Sequence, residues 1–288
     1  MAEENTKKSH LLNPRSRLTP RGGHNTDEQS YIIMQDPSKK AASLTVIIAT
    51  KNEFFNIDEC ISSVHFADEI LVLDSGSTDN TVAKAKAAGA IVHSTDWPGY
   101  GLQQLRGIGL SKSDWVLSLD ADERISAELK NEILSVISNP RADGYRLPRN
   151  SSFCGQFIRA SGWVPDYTLR LVRRDLAGFT DHFLHAHMTV HGSESFLRNP
   201  IIHYSYRNLD DVLEKLNRYS RGACLDLVNQ GASSGFTKAL LKGLWAFFRT
   251  YIIRAGFLDG RMGLVLAIFN AETTYYKYLR LYLYSKVP

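Results

Sequence analysis

The sequence predicts an α/β protein with a doubly wound, mostly parallel sheet and a C-terminal helical appendage. Short apolar runs alternate with helical stretches from Leu44 to Ser138, which is typical of a parallel sheet covered by helices on both faces. Polar turns rich in carboxylates follow these runs, at the sheet edge where such folds bind ligands. The short connections indicate one compact unit.

Four strands and four helices are expected in the first half. Each strand is a short apolar run, and Gly89 follows the second helix as a C-cap. The predicted strands are Leu44–Ala49, Glu69–Leu73, Ala90–His93 and Trp115–Leu119. The predicted helices are Asn56–Val64, Thr78–Ala88, Leu102–Leu110 and Ser126–Ser138.

The second half predicts shorter strands separated by irregular loops, and then long helices. The strands are Gly144–Pro148, Thr168–Arg173, Met188–Val190 and Ile201–Tyr204, and the helices are Asn208–Val228, Phe236–Gly256 and Gly263–Tyr284. Three regions follow from these patterns. Residues 1–42 are polar and predict a disordered extension, residues 43–235 form the sheet domain, and residues 236–288 form a basic, aromatic helical element.

Composition narrows the functional classes. The formal charge of +4 over 288 residues is too small to indicate nucleic-acid binding. Three scattered cysteines favour a reducing compartment. The N-terminus has no apolar segment of the secretory type, and no stretch is long and apolar enough to predict a simple membrane-spanning helix.

Two carboxylates end the fourth predicted strand. Asp120 and Asp122 are one residue apart, so in an extended chain they address the same site. A carboxylate pair at a strand end suits a hard divalent cation that also binds phosphate oxygens. A capped turn is the alternative, because aspartate is common in turns without any ligand.

Other polar groups share this predicted edge. Residues 50–53 follow the first strand, residues 74–81 follow the second, and Arg106 precedes the fourth. A carboxylate such as Asp74 can hydrogen-bond a ribose or a base, and Arg106 can neutralise a diphosphate that a metal bridges. The predicted ligand is therefore a nucleotide diphosphate.

These segments resemble the signature of family 2 glycosyltransferases. The similar motifs are Ile47–Glu53, Leu71–Asp79 and Asp120–Glu123, and Gly162–Arg174 with Tyr251–Arg261 resemble the branch of lipopolysaccharide core β-1,4-glucosyltransferases. The resemblance covers residues 44 to about 283. It implies the GT-A fold, a UDP-sugar donor, Mg²⁺ or Mn²⁺, and inversion at the anomeric carbon.

The resemblance also implies roles for individual residues. The metal ligand would be Asp122 with Asp120 beside it, Asp74 would hold the uridine, and Arg106 would lie near the diphosphate. The donor-binding set implied by position is Thr50, Asn52, Glu53, Asp74, Ser77, Asp79, Arg106 and Asp120.

The catalytic base departs from the family pattern. Many relatives have His-Glu where this chain reads His185-Ala186, and alanine cannot accept a proton. Asp166 is therefore the first candidate for the base, followed by His185 and His187.

Four histidines lie within residues 182–191, and such a cluster can bind zinc. Zinc is the less favoured interpretation, because no cysteine accompanies these histidines.

The C-terminal helices have two readings. Aromatic residues lie among Lys and Arg over residues 236–288, which fits helices at an anionic membrane surface. Packing on the sheet domain or in a homodimer is the alternative.

The expected function is transfer of a hexose to a lipopolysaccharide-core or related acceptor on the inner face of the cytoplasmic membrane. Glucose is the first candidate for the hexose. A sugar nucleotidyltransferase and a catalytically impaired nucleotide-sugar-binding membrane protein are the alternatives.

Overall fold

The computed structural model describes residues 42–180, 187–284 and 286. The predicted N-terminal extension thus lies almost wholly outside the described residues, and its disorder stays a prediction. Residues Ala41–Pro288 group as one compact unit.

Twelve strands and seven α-helices occur in the described residues. The strands are β1 (Leu44–Thr50), β2 (Glu69–Asp74), β3 (Ile91–Ser94), β4 (Trp115–Asp120), β5 (Glu123–Arg124), β6 (Gly144–Phe153), β7 (Gln156–Phe157), β8 (Tyr167–Arg173), β9 (Ala177–Phe179), β10 (Met188–Val190), β11 (Glu194–Phe196) and β12 (Ile201–Tyr206). The helices are α1 (Ile57–Ser63), α2 (Thr81–Ala87), α3 (Tyr100–Leu110), α4 (Ala127–Ser138), α5 (Leu209–Asn229), α6 (Phe236–Phe248) and α7 (Gly260–Tyr284).

One large sheet organises the chain in the order β3-β2-β1-β4-β8-β6-β12-β5. Strands β3, β2, β1 and β4 are mutually parallel. Strand β8 pairs antiparallel with β4 and with β6, and β12 then runs parallel to β6 and antiparallel to β5. The two-residue β5 directly follows Ala121-Asp122, so its pairing with β12 brings the far end of the sheet back to the end of β4.

Helices cover both faces of the parallel strands, because alternate residues of each strand point to opposite faces. Val46 and Ile48 belong to the core cluster that includes α1 and α4, whereas Ile47 belongs to the cluster that includes Ile108 of α3. Gly107 lets α3 lie directly on the sheet, since a Cβ there would clash with Ile47. The predicted α/β class is confirmed.

The last two helices pack on the rest of the chain. Helix α7 contacts both α5 and α6. Leu266 and Phe269 of α7 share a buried cluster with Phe153 of β6 and Tyr206 of β12. The C-terminal helices therefore complete a core to which the sheet also contributes.

The predicted single helix over residues 236–256 is wrong in its second half. Helix α6 ends at Phe248 and a π-helical turn, Arg249–Ile253, follows it. Ala255 then adopts a left-handed conformation with φ of 52°, which no α-helix continues through. Periodicity carried no signal for this break, because Ala255 is by itself a good helix former.

Within the part of the chain that the structure describes, every helix is too short or too polar to span a bilayer.

Candidate active site

The carboxyl ends of β1, β2 and β4 meet at one edge of the sheet. Thr50 pairs with Asp74 across β1 and β2, and Ala49 pairs with Asp120 across β1 and β4. The two carboxylates predicted from separate motifs therefore flank the end of the same strand, at the edge where parallel sheets bind ligands.

Asp74 shapes the turn that follows β2. Its Oδ2 accepts hydrogen bonds from the backbone N–H groups of Gly76 (3.1 Å) and Ser77 (3.0 Å). Its Oδ1 accepts from the Ser77 hydroxyl and from Thr50 Oγ1 at 3.4 Å. A carboxylate has about four lone-pair positions, and these four contacts occupy them. In this structure Asp74 holds the turn after β2 in shape.

Asn52 and Glu53 tie the loop after β1 to that turn. Asn52 has a φ of 58°, and its Oδ1 accepts from the Thr78 N–H at 2.8 Å while its own N–H donates to Ser77 Oγ at 2.9 Å. Burial raises the pKa of Glu53, a hydrogen bond from Asn56 opposes the rise, and the charge of Asp122 adds to it. Glu53 therefore lies near Asp122.

Asp79 serves the same pair of loops. Its Oδ1 accepts from the Thr81 N–H at 3.0 Å and its Oδ2 from the Phe54 N–H at 3.3 Å. These bonds link the start of α2 to the loop after β1. Asp79 itself is exposed, so it holds the loop after β1 in place from the surface of the protein.

Asp120 is held by two side chains that come from distant parts of the sequence. Arg170 of β8 donates from Nη2 to Asp120 Oδ2 at 2.7 Å, and the Tyr100 hydroxyl donates to Oδ1 at 2.8 Å. Burial alone would raise the pKa of Asp120, but these two donors outweigh burial and hold the pKa at about 2. Asp120 is therefore ionised, with both oxygens engaged by the protein.

Glu123 continues this charge network. Its side chain is fully buried, accepts from the Asp120 N–H at 2.9 Å and lies 3.0 Å from Arg170 Nη2. Burial raises the pKa of Glu123, and Arg170 opposes the rise. Arg149 lies 3.7 Å from Glu123 and 2.7 Å from Asp166 Oδ2, so the network extends to the residue predicted as a base.

Asp122 faces a residue that the sequence analysis missed. Its Oδ2 lies 3.5 Å from Nε2 of His203, on β12, and the other ring nitrogen of His203 lies 2.9 Å from Ser151 Oγ. Both side chains are partly exposed at the edge of the sheet. The only sequence signal was a histidine in an apolar strand, and its meaning depends on the pairing of β12 with β5.

Arg106 lies on α3. It forms an ion pair with Asp96 at 2.5 Å, and its Nη1 also donates to Gln103 Oε1 at 3.3 Å. Gln103 is buried and donates to Ser75 Oγ at 3.1 Å. Arg106 thus reaches the Asp74 turn through Gln103.

The predicted histidine cluster is described in part. His185, with His182 and Ala186, lies outside the described residues. The His187 N–H donates to Thr180 Oγ1 at 3.1 Å on the β9–β10 side. Among the described residues, no group of three or more His, Cys, Asp or Glu side chains is placed to hold a metal ion.

Residues 45–196, more than half of the chain, match the family described as Glycosyl transferase family 2. The chain belongs to glycosyltransferase family 2. Its similarity to an uncharacterized glycosyltransferase of Rickettsia bellii (strain RML369-C) extends further, with 31% identity over 77% of this chain and 80% of the relative. The lipopolysaccharide core biosynthesis glycosyltransferase LpsC of Rhizobium meliloti (strain 1021) is 25% identical over 82% of this chain and 93% of LpsC.

A solved glucosyl-3-phosphoglycerate synthase of Mycobacterium tuberculosis, in complex with Mn²⁺, uridine diphosphate and glucosyl-3-phosphoglycerate, is 22% identical to this chain with a TM-score of 0.38. The alignment covers 47% of this chain and 58% of the synthase, and a likeness of that extent is too low to establish shared chemistry. Membership of family 2 confirms the predicted resemblance. It identifies a glycosyltransferase and disfavours the nucleotidyltransferase alternative.

Proposed function

We propose that this family 2 glycosyltransferase moves a hexose from a UDP-sugar to a saccharide acceptor of the lipopolysaccharide-core or a related glycolipid type. Glucose is the first candidate for the hexose. The observation that supports the proposal is the contact between Asp122, just beyond the end of β4, and His203, at the same carboxyl edge of the sheet at which β2 ends in Asp74. Family membership supplies the reaction class, and this edge supplies groups that suit a nucleotide diphosphate.

The loops after β1 and β2 support a nucleotide at this edge. Asn52 and the Asp74 turn hold each other by the hydrogen bonds described above, so the two loops form one rigid rim. Gly76 in that rim has a φ of 81° and open space where a Cβ would stand, which lets a ligand approach the backbone. Thr50, Asn52, Glu53, Asp74, Ser77 and Asp79 all belong to this rim or brace it.

Asp122 and His203 fit a divalent cation. The donor set is one carboxylate oxygen and one imidazole nitrogen, which suits Mn²⁺, and the remaining positions suit diphosphate oxygens and water. Ser151 at the second nitrogen of His203 fixes the ring, as partners of metal-ligating histidines do. When bound, the cation would neutralise charge on the leaving diphosphate.

We propose for Asp120 a role other than that of the second metal ligand beside Asp122, which the sequence predicted. Arg170 and Tyr100 engage its two oxygens, so we propose that it orients the strand end and leaves metal binding to Asp122 and His203.

The transfer would be a direct displacement with inversion. The acceptor hydroxyl oxygen attacks the anomeric carbon, the bond from that carbon to the diphosphate oxygen breaks, and the hydroxyl proton passes to a protein base. Asp166 is the first candidate, because its contacts with Arg149 use Oδ2 and leave Oδ1 to accept the proton. His185 and His187 are the other candidates.

The acceptor proposal comes from the relatives and from the surface of α6. The name of LpsC assigns that protein to lipopolysaccharide core biosynthesis. Helix α6 exposes large apolar side chains next to lysines, and such a face suits the membrane where glycolipid acceptors reside. We therefore propose a cytoplasmic location at the inner face of the cytoplasmic membrane, with a homodimer through the same helix as the alternative.

A screen of nucleotide sugars tests this function. Wild-type protein with Mn²⁺ or Mg²⁺ should release UDP from UDP-glucose when a core-type saccharide is present. Asp122→Asn and His203→Ala should each lower the rate about 100-fold or more, because loss of a residue that only hydrogen-bonds a metal ligand already costs about 10–100-fold. The control is Asp175→Asn, an exposed aspartate paired only with its neighbour Arg174. Full UDP release by both site variants, or absence of donor binding by the wild type, would contradict the proposal.

A further inference from the structure

Another arginine, Arg207, lies just beyond the end of β12 and four residues beyond His203. It precedes Asn208, whose side chain caps α5 by accepting from the Asp211 N–H at 2.9 Å. Arg207 therefore lies at the junction between the sheet edge and the C-terminal helices.

The contacts of Arg207 orient its guanidinium toward the loop after β1. Its Nε and Nη2 donate to the two carboxylate oxygens of Asp211 at 3.0 and 3.2 Å. The centre of the guanidinium lies 5.0 Å from the ring of Phe55, in the loop after β1 that also carries Asn52 and Glu53. One side chain thus bridges the start of α5 and the loop predicted to line the nucleotide.

The charges around Arg207 are those of the active-site edge. Arg207 is close enough to Glu53 and Asp122 to interact with both carboxylates, and Lys215 of α5 also acts on Glu53. Each of these two arginines has an acidic partner, Asp96 for Arg106 and Asp211 for Arg207, and Arg207 in addition acts on the two carboxylates named above. A diphosphate bound beside Asp122 and His203 would bring two negative charges into electrostatic range of Arg207.

We infer that Arg207 is a cation that binds the diphosphate of the sugar donor from the α5 side of the site. This inference rests on the proposed function. A guanidinium matches phosphate oxygens in a two-pronged geometry, and the N–H groups not donated to Asp211 are available to face them. Phe55 and Asp211 would be positioning residues, which hold the guanidinium plane before the donor arrives.

Calorimetry with two ligands tests the inference without turnover. UDP and uridine share the nucleoside but only UDP carries the diphosphate. With Mn²⁺ present, Arg207→Ala should weaken UDP binding about tenfold or more and leave uridine binding within about twofold of the wild type, since a charge-assisted contact to phosphate is lost. Arg207→Lys should retain part of the UDP affinity.

Two further variants separate charge from structure. Arg221→Ala removes an exposed arginine of α5 and should bind UDP as the wild type does. Asp211→Asn weakens the ion pair but keeps the cation, so it should lose less UDP affinity than Arg207→Ala does. The inference is overturned if Arg207→Ala binds UDP normally, or if Asp211→Asn loses as much UDP affinity as Arg207→Ala. A wild type that binds no UDP would overturn the proposed function as well.

Discussion

Arg170 is a single residue on which two carboxylates depend, the fully buried Glu123 and the partly buried Asp120. Its guanidinium contacts Asp120 at 2.7 Å and Glu123 at 3.0 Å, and its own side chain is only 8% exposed. Removing one partner of a buried ion pair leaves a charge without compensation, which costs far more than the loss of a surface pair. The network therefore makes a strong stability prediction at one position.

Arg170→Met should destabilise the protein by about 3 kcal/mol or more, measured as the free energy of unfolding in urea. The matched control is Arg146→Met, which breaks a pair of similar length, Arg146 to Glu194 at 2.6 Å, at a site about one-third exposed. That change should cost about 1 kcal/mol or less. Equal costs for the two variants would show that burial of the Arg170 network contributes nothing.

The acid sensitivity of the fold should depend on Asp120. Its pKa in the folded protein is about 2, below its ordinary value of 3.8, so the unfolded chain binds the proton more readily between these values. The stability that Asp120 contributes is therefore present above pH about 4 and is lost as the pH falls toward 2. Burial raises the pKa of Glu123, which gives a trend of the opposite sign.

Unfolding midpoints from pH 2 to pH 6 test this. Wild-type stability should fall more steeply below pH about 4 than that of Asp120→Asn, while Asp175→Asn, an exposed carboxylate, should follow the wild type. Parallel curves for the wild type and Asp120→Asn would contradict the assigned pKa.

Sequence reasoning found Asp120, Asp122 and Asp74 because each ends an apolar run, where a ligand edge is expected. His203 and Arg170 could not be found in this way. Both lie inside strands, 47 or more residues from the carboxylates they contact, and their roles depend on which strands pair and in what register. Periodicity identifies the two faces of a strand but not its neighbour.

At the scale of elements, α6 is the helix with the least usual surface. Ala239, Gly243 and Ala246 are buried, and Gly243 approaches Tyr275 of α7. The opposite side exposes a continuous apolar row, which we call the α6 face: Leu241, Leu244, Trp245, Phe248 and Ile252, each 46–59% exposed. Exposed patches of this kind mark interaction surfaces.

The charge of the α6 face favours the proposed lipid partner over a second copy of the chain. Lys238 and Lys242 line a groove of about 550 Å³ with Leu241 and Trp245. No aspartate or glutamate occurs in residues 227–258. Two such faces would repel each other across a symmetric dimer, whereas anionic headgroups attract them at about 1 kcal/mol per basic residue.

The variant Leu241→Glu/Trp245→Glu should therefore lose binding to vesicles that contain phosphatidylglycerol, measured by sedimentation. Leu213→Glu, an equally exposed leucine on α5, should bind as the wild type does. Retained vesicle binding by the double variant would contradict the lipid assignment. Conversion of a wild-type dimer to a monomer by the same change would assign the α6 face to a second copy.

The elements that the sequence predicted best are those whose pattern is local. The four parallel strands and α4 match their predicted bounds within two residues, because continuous apolar runs and a Ser126 cap mark them. Strands β5, β7, β9 and β11 were missed. Each has two or three residues, which is too short for a period-two pattern to appear, and each exists only through its pairing partner.

At the scale of the whole molecule, the C-terminal helices and the sheet are joined by a buried carboxylate. Asp259 precedes α7 and accepts from the N–H groups of Arg159 (2.8 Å) and Ala160 (3.1 Å) and from the Ser161 hydroxyl (2.8 Å). Gly263 lies beneath this turn, where a Cβ would overlap the backbone oxygen of Gly256. The turn therefore fixes the start of α7 against the loop that follows β7.

Two truncations should consequently have opposite results. Removal of residues 1–40 should leave the thermal midpoint and UDP release unchanged, as the polar composition of this segment predicts. A chain that ends at residue 235 loses Asp259, Leu266 and Phe269, so Phe153 and Tyr206 lose their buried neighbours. That truncation should abolish cooperative unfolding, followed by circular dichroism during heating. A truncated chain that still unfolds cooperatively would show that the sheet domain is complete without the helices, and the α6 face would then be an independent attachment.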